Sequence, residues 1–185
     1  MSWIETVDDE DATGPLRESY DLAKDRRGKL SNIMRVQSLN PEAMQAHLDL
    51  YMSVMFGSSG LSRMERELIA LAVSAANGCP YCVRHHAEAL EQYWKDAGRV
   101  QRFIDDPASV DLSERRRCMV EYARALTLQP GEMNEDAVTR MRGQGLSDED
   151  ILTVNLVVSY FNFVNRIALG LGVEFTDEEA SGYRY

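Results

Sequence analysis

Apolar residues recur at helical spacing along almost the whole chain, and start and stop signals separate the runs. Leu16, Tyr20, Ala23 and Leu30 predict a first helix that frays at Gly28, and Ser31 opens a short one carrying Ile33, Met34 and Val36. Asn40-Pro41 is a plain start, an Asn cap with Pro at the first helical position. The stripe Met44, His47, Leu48, Tyr51, Met52, Met55 follows and stops at Gly57-Ser58-Ser59-Gly60. Ser62 with Glu65 three residues on reads as a capping box, and that helix ends at Asn77-Gly78. Cys79-Pro80 restarts a helix at once, predicted to continue to about Ala97 with Gly98 as its stop. Further helices are predicted over Val100–Ile104, Ser113–Leu128 and Met133–Arg142, and a long last one runs from Ser147 to Gly170, with Asp150 completing its box. No segment alternates at strand period, so the fold class is all-α. A weak echo at an offset of 85 residues pairs Ser62 with Ser147, Leu71 with Leu156, Val73 with Val158 and Asn77 with Asn162, which suggests a duplicated helical unit.

A length of 185 residues suits one domain, and a hydrophobic fraction of 44% supports a real core. The expected layout is an acidic arm over 1–13, loosely held (Glu5, Asp8, Asp9, Glu10 and Asp11 fall in it), a domain over 14–175 and a tail over 176–185. Within the domain one half lies at about 41–98 and the second at about 113–172. The formal charge of −10 argues against nucleic acid and against anionic membranes. Arg115-Arg116-Arg117 sits in a helical pattern and reads as a solvated face. The first residues lack the basic and apolar parts of a signal peptide, and no apolar run is long enough to span a bilayer. A reducing cytoplasm is therefore expected. Three cysteines make no disulfide scaffold. Cys118 reads as core and His47 as structural. Trp3 and Tyr183–Tyr185 read either as exchanged contacts or as loose ends.

Chemistry concentrates in Asn77-Gly78-Cys79-Pro80-Tyr81-Cys82-Val83-Arg84-His85-His86. With Cys79 as cap, both sulfurs lie in the first turn, where unpaired N–H groups and the helix dipole favour thiolates. His86 lies four residues beyond Cys82 on the same face, with His85 as the competing imidazole. If the helix folds back on its predecessor, Glu67 comes within reach of His86, directly or through one water. Glu67 lies among Met64, Leu68 and Leu71, an expensive place for a carboxylate without a partner. Adjacent histidines diverge by about 100°, so Cys79, Cys82, His85 and His86 do not make a zinc site, and neither a metal nor a cofactor is expected.

Cys-Pro-Tyr-Cys invites comparison with glutaredoxins, but there the pair follows a β-strand. Glu67, Cys79, Cys82 and His86, with Leu61–Glu67 and Tyr160–Arg166, resemble the alkylhydroperoxidase D (AhpD)/carboxymuconolactone decarboxylase-like family, in particular its peroxidase-related members. The likeness covers roughly residues 28–174. It implies an all-α homo-oligomer (trimer, hexamer or dimer) that reduces a hydroperoxide substrate through a cysteine pair. Carried onto this chain, Cys82 attacks, Cys79 resolves, and His86 with Glu67 forms the proton relay. An external dithiol reductant or redox protein restores the pair. The best-known members carry histidine where this chain has Tyr81, which can donate a hydrogen bond but cannot act as a base at neutral pH. The alternatives are a thiol–disulfide oxidoreductase or redox sensor without peroxidase turnover, a lyase of the decarboxylase type, and a structural oligomer.

Overall fold

The computed structural model describes residues 2–176 together with Glu179. Among these the helices are α1 (Gly14–Arg27), α2 (Asn32–Arg35), α3 (Pro41–Phe56), α4 (Arg63–Ala76), α5 (Pro80–Trp94), α6 (Ala97–Asp105), α7 (Glu114–Leu128), α8 (Glu135–Gly143) and α9 (Asp148–Gly170), and no strand occurs. The strongest start signals act as expected. Asn40 accepts the Ala43 N–H at 3.1 Å. Ser62 and Glu65 exchange backbone hydrogen bonds, as do Ser147 and Asp150.

Several boundaries differ from expectation, for local reasons. α1 does not fray; it ends sharply at Gly28, whose φ of 82° and N–H bond to Lys24 O make a left-handed cap. α5 stops at Trp94 instead of near Ala97. Lys95 turns left-handed (φ 54°), and Asp96 accepts the Arg99 N–H at 2.8 Å, so a new helix begins and Gly98 lies inside it. α8 begins two residues later than predicted, because Asn134 caps it by accepting the Asp136 N–H.

α4 and α9 form the centre. Ten consecutive residues of α4, Glu65 to Ser74, are buried, so this helix is covered on all sides. Ile69, Ala70 and Val73 face the main core with α1, α3 and α9, while Leu68, Leu71 and Ala72 face a second core with Leu90, Phe103 and Val120. The two helices run parallel, since their starts meet at one residue and the end of α4 meets α9 further along its length. Arg115 reaches Glu65 at 3.7 Å and Asp150 at 4.0 Å, and Asn77 donates to Asn162 Oδ1 at 3.1 Å. Glu65 and Asp150, like Asn77 and Asn162, stand 85 residues apart. Arg115 is therefore a clamp between two helix starts, not part of a solvated face.

The N-terminal segment is tied down. Trp3 N–H donates to Leu171 O at 2.9 Å, Val7 N–H to Ser38 Oγ at 2.9 Å and the Tyr20 hydroxyl to Val7 O at 2.7 Å. The Trp3 indole lies against Gly172, where a side chain would collide with it. Tyr183–Tyr185 lie outside the described residues. α9 is long and apolar enough by length and composition to cross a membrane; its central position, with Asp150 and Asn165 buried along it, accounts for that composition.

Candidate active site

The turn between α4 and α5 is built by Gly78. At φ 62° it lets its own N–H reach Ala75 O and the Cys79 N–H reach Ser74 O, both at 3.0 Å. Cys79 then caps α5 and Pro80 is its first residue. Asn77 pins the turn to α9 through Asn162 and Asn165, and Asn165 also donates to Ser74 Oγ at 3.3 Å. This fold-back places Glu67 Oε2 at 2.7 Å from His86 Nδ1. The contact is direct, and both residues are buried.

Arg63, one turn before Glu67, holds the other carboxylate oxygen at 2.6 Å and donates to Met55 O at 2.8 Å. Burial alone would push the Glu67 carboxyl up. The His86 hydrogen bond and the positive charges of Arg63 and Arg27 outweigh it and hold the group below its ordinary value. Glu67 is thus an anion that can only accept. His86 Nδ1 must carry the hydrogen, which leaves Nε2 with its lone pair. Burial lowers the His86 pKa, with Glu67 opposing, so the ring is neutral and can take up a proton.

Cys79 and Cys82 are free thiols, 1% and 3% exposed. The helix start was expected to favour both thiolates, and the two sulfurs diverge instead. Cys79 is lowered, first by the Cys82 thiol donating to it and then by the N–H groups of Cys82 and Tyr81, against burial. Cys82 is raised, by being that donor and by burial, with the Asn165 amide offsetting part. At rest the shared proton therefore belongs to Cys82.

Cys82, and not Cys79, lines a mainly apolar recess of about 750 Å³ including its mouth, together with Glu67, His86, Tyr160 and Phe161. The Phe161 ring stands edge-on to His86 at 4.4 Å. Arg27 and Lys29 lie on the same lining. His85 and Tyr81 occupy one side. Tyr81 accepts the Ile33 N–H at 3.2 Å. His85 Nε2 lies 3.0 Å from Glu179, a buried carboxylate that the Tyr81 hydroxyl also reaches. His85 is thereby engaged away from Glu67. Cys118 is half-buried against the main core. Among the described residues no group of three or more His, Cys, Asp or Glu side chains is placed to hold a metal ion.

Sequence reasoning missed Arg63, Asn165 and Tyr160 as parts of the site. Arg63 was legible, since it precedes Glu67 by four residues on one helix. Asn165 had a weaker signal, an amide set in an otherwise apolar stretch.

The parallel central helices, the fold-back and the buried carboxylate–imidazole pair beside two cysteines are the features the chain shares with the class of AhpD-like and carboxymuconolactone decarboxylase-like proteins it resembles. Residues 41–125 match the carboxymuconolactone decarboxylase family. The fold is similar to that of a peroxidase-related protein from Ralstonia eutropha JMP134, described as an alkylhydroperoxidase AhpD core (TM-score 0.86, 26% identity, 97% of this chain and 94% of that one). A 62-residue stretch is 40% identical to the alkyl hydroperoxide reductase AhpD of Rhizorhabdus wittichii RW1, covering 34% of this chain and 35% of that protein. The debrominase Bmp8 shares the fold at 18% identity (TM-score 0.77, 95% of this chain and 96% of that one).

Proposed function

We propose that this chain is a cysteine-dependent enzyme that reduces hydroperoxides. One observation carries the reading: Cys82 opens onto an apolar recess that also holds the lone pair of a neutral His86, oriented by ionised Glu67 at 2.7 Å. A peroxide entering the recess reaches Cys82 on its wall. His86 Nε2 takes the Cys82 proton, and the thiolate attacks the terminal peroxide oxygen. The S–O bond forms as the O–O bond breaks, and the departing alkoxide receives the proton, giving a sulfenic acid and an alcohol. Cys79, already favoured as thiolate, attacks the sulfenic sulfur and releases water as the disulfide closes. An external dithiol returns the pair to the reduced state by exchange.

Burial of both sulfurs favours a small substrate over a folded protein disulfide, which would need the helix start to open. That sets peroxide reduction ahead of general thiol–disulfide exchange or redox sensing. A lyase reaction gives no task to the dithiol. The reduced pair suits the cytoplasm, and we place the enzyme there as a homo-oligomer.

The test is peroxide consumption with a dithiol reductant. Cys82→Ser is expected to abolish turnover. Cys79→Ser is expected to retain one stoichiometric oxidation of Cys82 and then stop. Equal rates in wild type and Cys82→Ser would remove the mechanism. Reversible oxidation of the pair without peroxide consumption would favour the redox-sensor reading.

A further inference from the structure

Three polar side chains beside the recess form a chain that leads to its wall. Gln37 Nε2 lies 2.7 Å from Ile33 O and 2.7 Å from His47 Nδ1. His47 Nε2 lies 2.7 Å from the Tyr160 hydroxyl. Tyr160 lines the recess with Cys82 and His86. Gln37, on the turn after α2, and His47, on α3, play no part in the relay through Glu67.

The direction of every hydrogen in this chain follows from donor and acceptor rules. Ile33 O can only accept, so the Gln37 atom facing it is the amide nitrogen; the flipped amide would set two carbonyl oxygens against each other. That same nitrogen faces His47 Nδ1, so Nδ1 must accept. A doubly protonated ring would oppose donor to donor there, and burial holds the His47 pKa down at about 4. The neutral ring then carries its one hydrogen on Nε2 and donates it to the Tyr160 oxygen. The phenol oxygen is used as an acceptor, so its own O–H hydrogen points elsewhere. Among the described residues the Tyr160 oxygen makes no second hydrogen bond.

We infer that Tyr160 is a catalytic hydrogen-bond donor whose O–H is aimed into the recess by Gln37 and His47 and meets the leaving oxygen of the peroxide. Burial keeps the phenol protonated well above its ordinary range, so the group is a donor throughout neutral pH. The inference rests on the peroxide-reducing reading and completes its charge balance. As Cys82 sulfur bonds the terminal oxygen and the O–O bond breaks, negative charge grows on the alkoxide. The proton that settles there is the one His86 took from Cys82. Until it arrives, the Tyr160 O–H stabilises that charge against the mainly apolar wall of the recess. Gln37 and His47 are positioning residues: they never touch substrate and act by fixing which way the phenol points.

The experiment compares leaving groups. Prereduced protein is oxidised in a single turnover by tert-butyl hydroperoxide, which expels a strongly basic alkoxide, and by peracetic acid, which expels acetate. Loss of a donor to the leaving oxygen hurts only the first. Tyr160→Phe is expected to slow oxidation by tert-butyl hydroperoxide roughly 10²-fold and to leave the peracetic acid rate unchanged, which also shows that the variant has folded. Gln37→Leu, which frees the His47 tautomer, is expected to show the same selective loss in smaller measure. With three histidines in the chain, the ring nitrogen resonances of His47 report directly whether Nε2 carries the hydrogen. Equal slowing with both oxidants, no slowing with either, or a hydrogen found on Nδ1 overturns the assignment of Tyr160 and leaves peroxide reduction standing. A wild-type protein whose cysteines neither oxidant touches overturns the peroxide reading, and this inference with it.

Discussion

At the scale of single residues, the buried charges are the sharpest determinants. Glu67 lies between Arg63 and His86 with almost no contact with solvent. Glu67→Gln keeps the shape but removes the charge that holds the hydrogen on His86 Nδ1 and neutralises Arg63. Turnover is expected to fall roughly 10²-fold. Stability is expected to fall by about 3 kcal/mol, because a buried cation loses its counter-ion. Steady-state kinetics and urea unfolding of the variant measure the two separately. His47 makes a second prediction. Burial lowers its pKa from 6.5 to about 4, so between those values the unfolded chain binds a proton that the folded protein refuses. Its contribution is complete above pH 6.5 and is lost as pH falls toward 4, by about 3 kcal/mol in all. His86, also lowered by burial, acts in the same direction. The urea midpoint should therefore drop steeply from pH 7 to pH 4.5, and His47→Gln should flatten much of that slope. A midpoint indifferent to pH across this window would mean that His47 is hydrated and not sealed against Tyr160.

At the scale of elements, the α4–α5 turn decides whether two cysteines become a site. Gly78 (φ 62°) and Gly145 (φ 78°) both stand in the left-handed region, and a Cβ at either would meet open space within 4 Å. Alanine at each therefore costs only the backbone strain, about 1–2 kcal/mol. The two variants should unfold at similarly lowered denaturant concentrations. Gly78→Ala alone should disturb thiol alkylation rates, because it shifts the cap that carries Cys79, whereas Gly145 precedes the α9 capping box far from the sulfurs. Equal thiol kinetics in the two would detach the turn geometry from the chemistry. This contrast also marks what was legible in the sequence. Caps are local, so Asn40, Ser62 and Ser147 and the helix stop at Asn77-Gly78 could be read; whether the next helix folds back, and so brings Glu67 to His86, is decided only by the packing. Long-range partners could not be read. Nothing near Lys95 announced a left-handed residue, because Asp96 competed for the next start. Nothing near His47 announced that Tyr160, 113 residues away, would meet its ring. The divergence of Cys79 and Cys82 was hidden for the same reason. A helix dipole acts on both sulfurs, but which thiol donates to the other depends on side-chain rotamers and on Asn165 from α9.

At the scale of the whole molecule, α9 has two working faces. Its inner face supplies Tyr160, Phe161, Val164 and Asn165 to the recess and the turn. Its outer face repeats at helical spacing through Leu152, Leu156, Ser159, Phe163 and Arg166, all exposed, and the three apolar members are 58%, 43% and 47% exposed. An apolar stripe on the exposed side of a central helix, in a chain with net charge −10, is costly in water, and self-association is the economical way to cover it, provided that the burial outweighs the repulsion of like-charged copies. A homo-oligomer built on this stripe is therefore expected, as the family resemblance also implies. Since the same helix carries the site on its other side, assembly should brace the recess. Leu156→Glu, placed at the middle of the stripe and away from the core, is expected to leave helical content intact and to convert the oligomer to a 20.9 kDa monomer in light scattering. The monomer should also be less stable and slower in peroxide reduction, because α9 loses its outer support. Added salt should strengthen the wild-type assembly by screening the repulsion. A wild-type chain that scatters as a monomer at every salt concentration would leave the stripe unexplained as a self-interface. A Leu156→Glu variant that keeps the wild-type mass would move the interface to another face of the molecule.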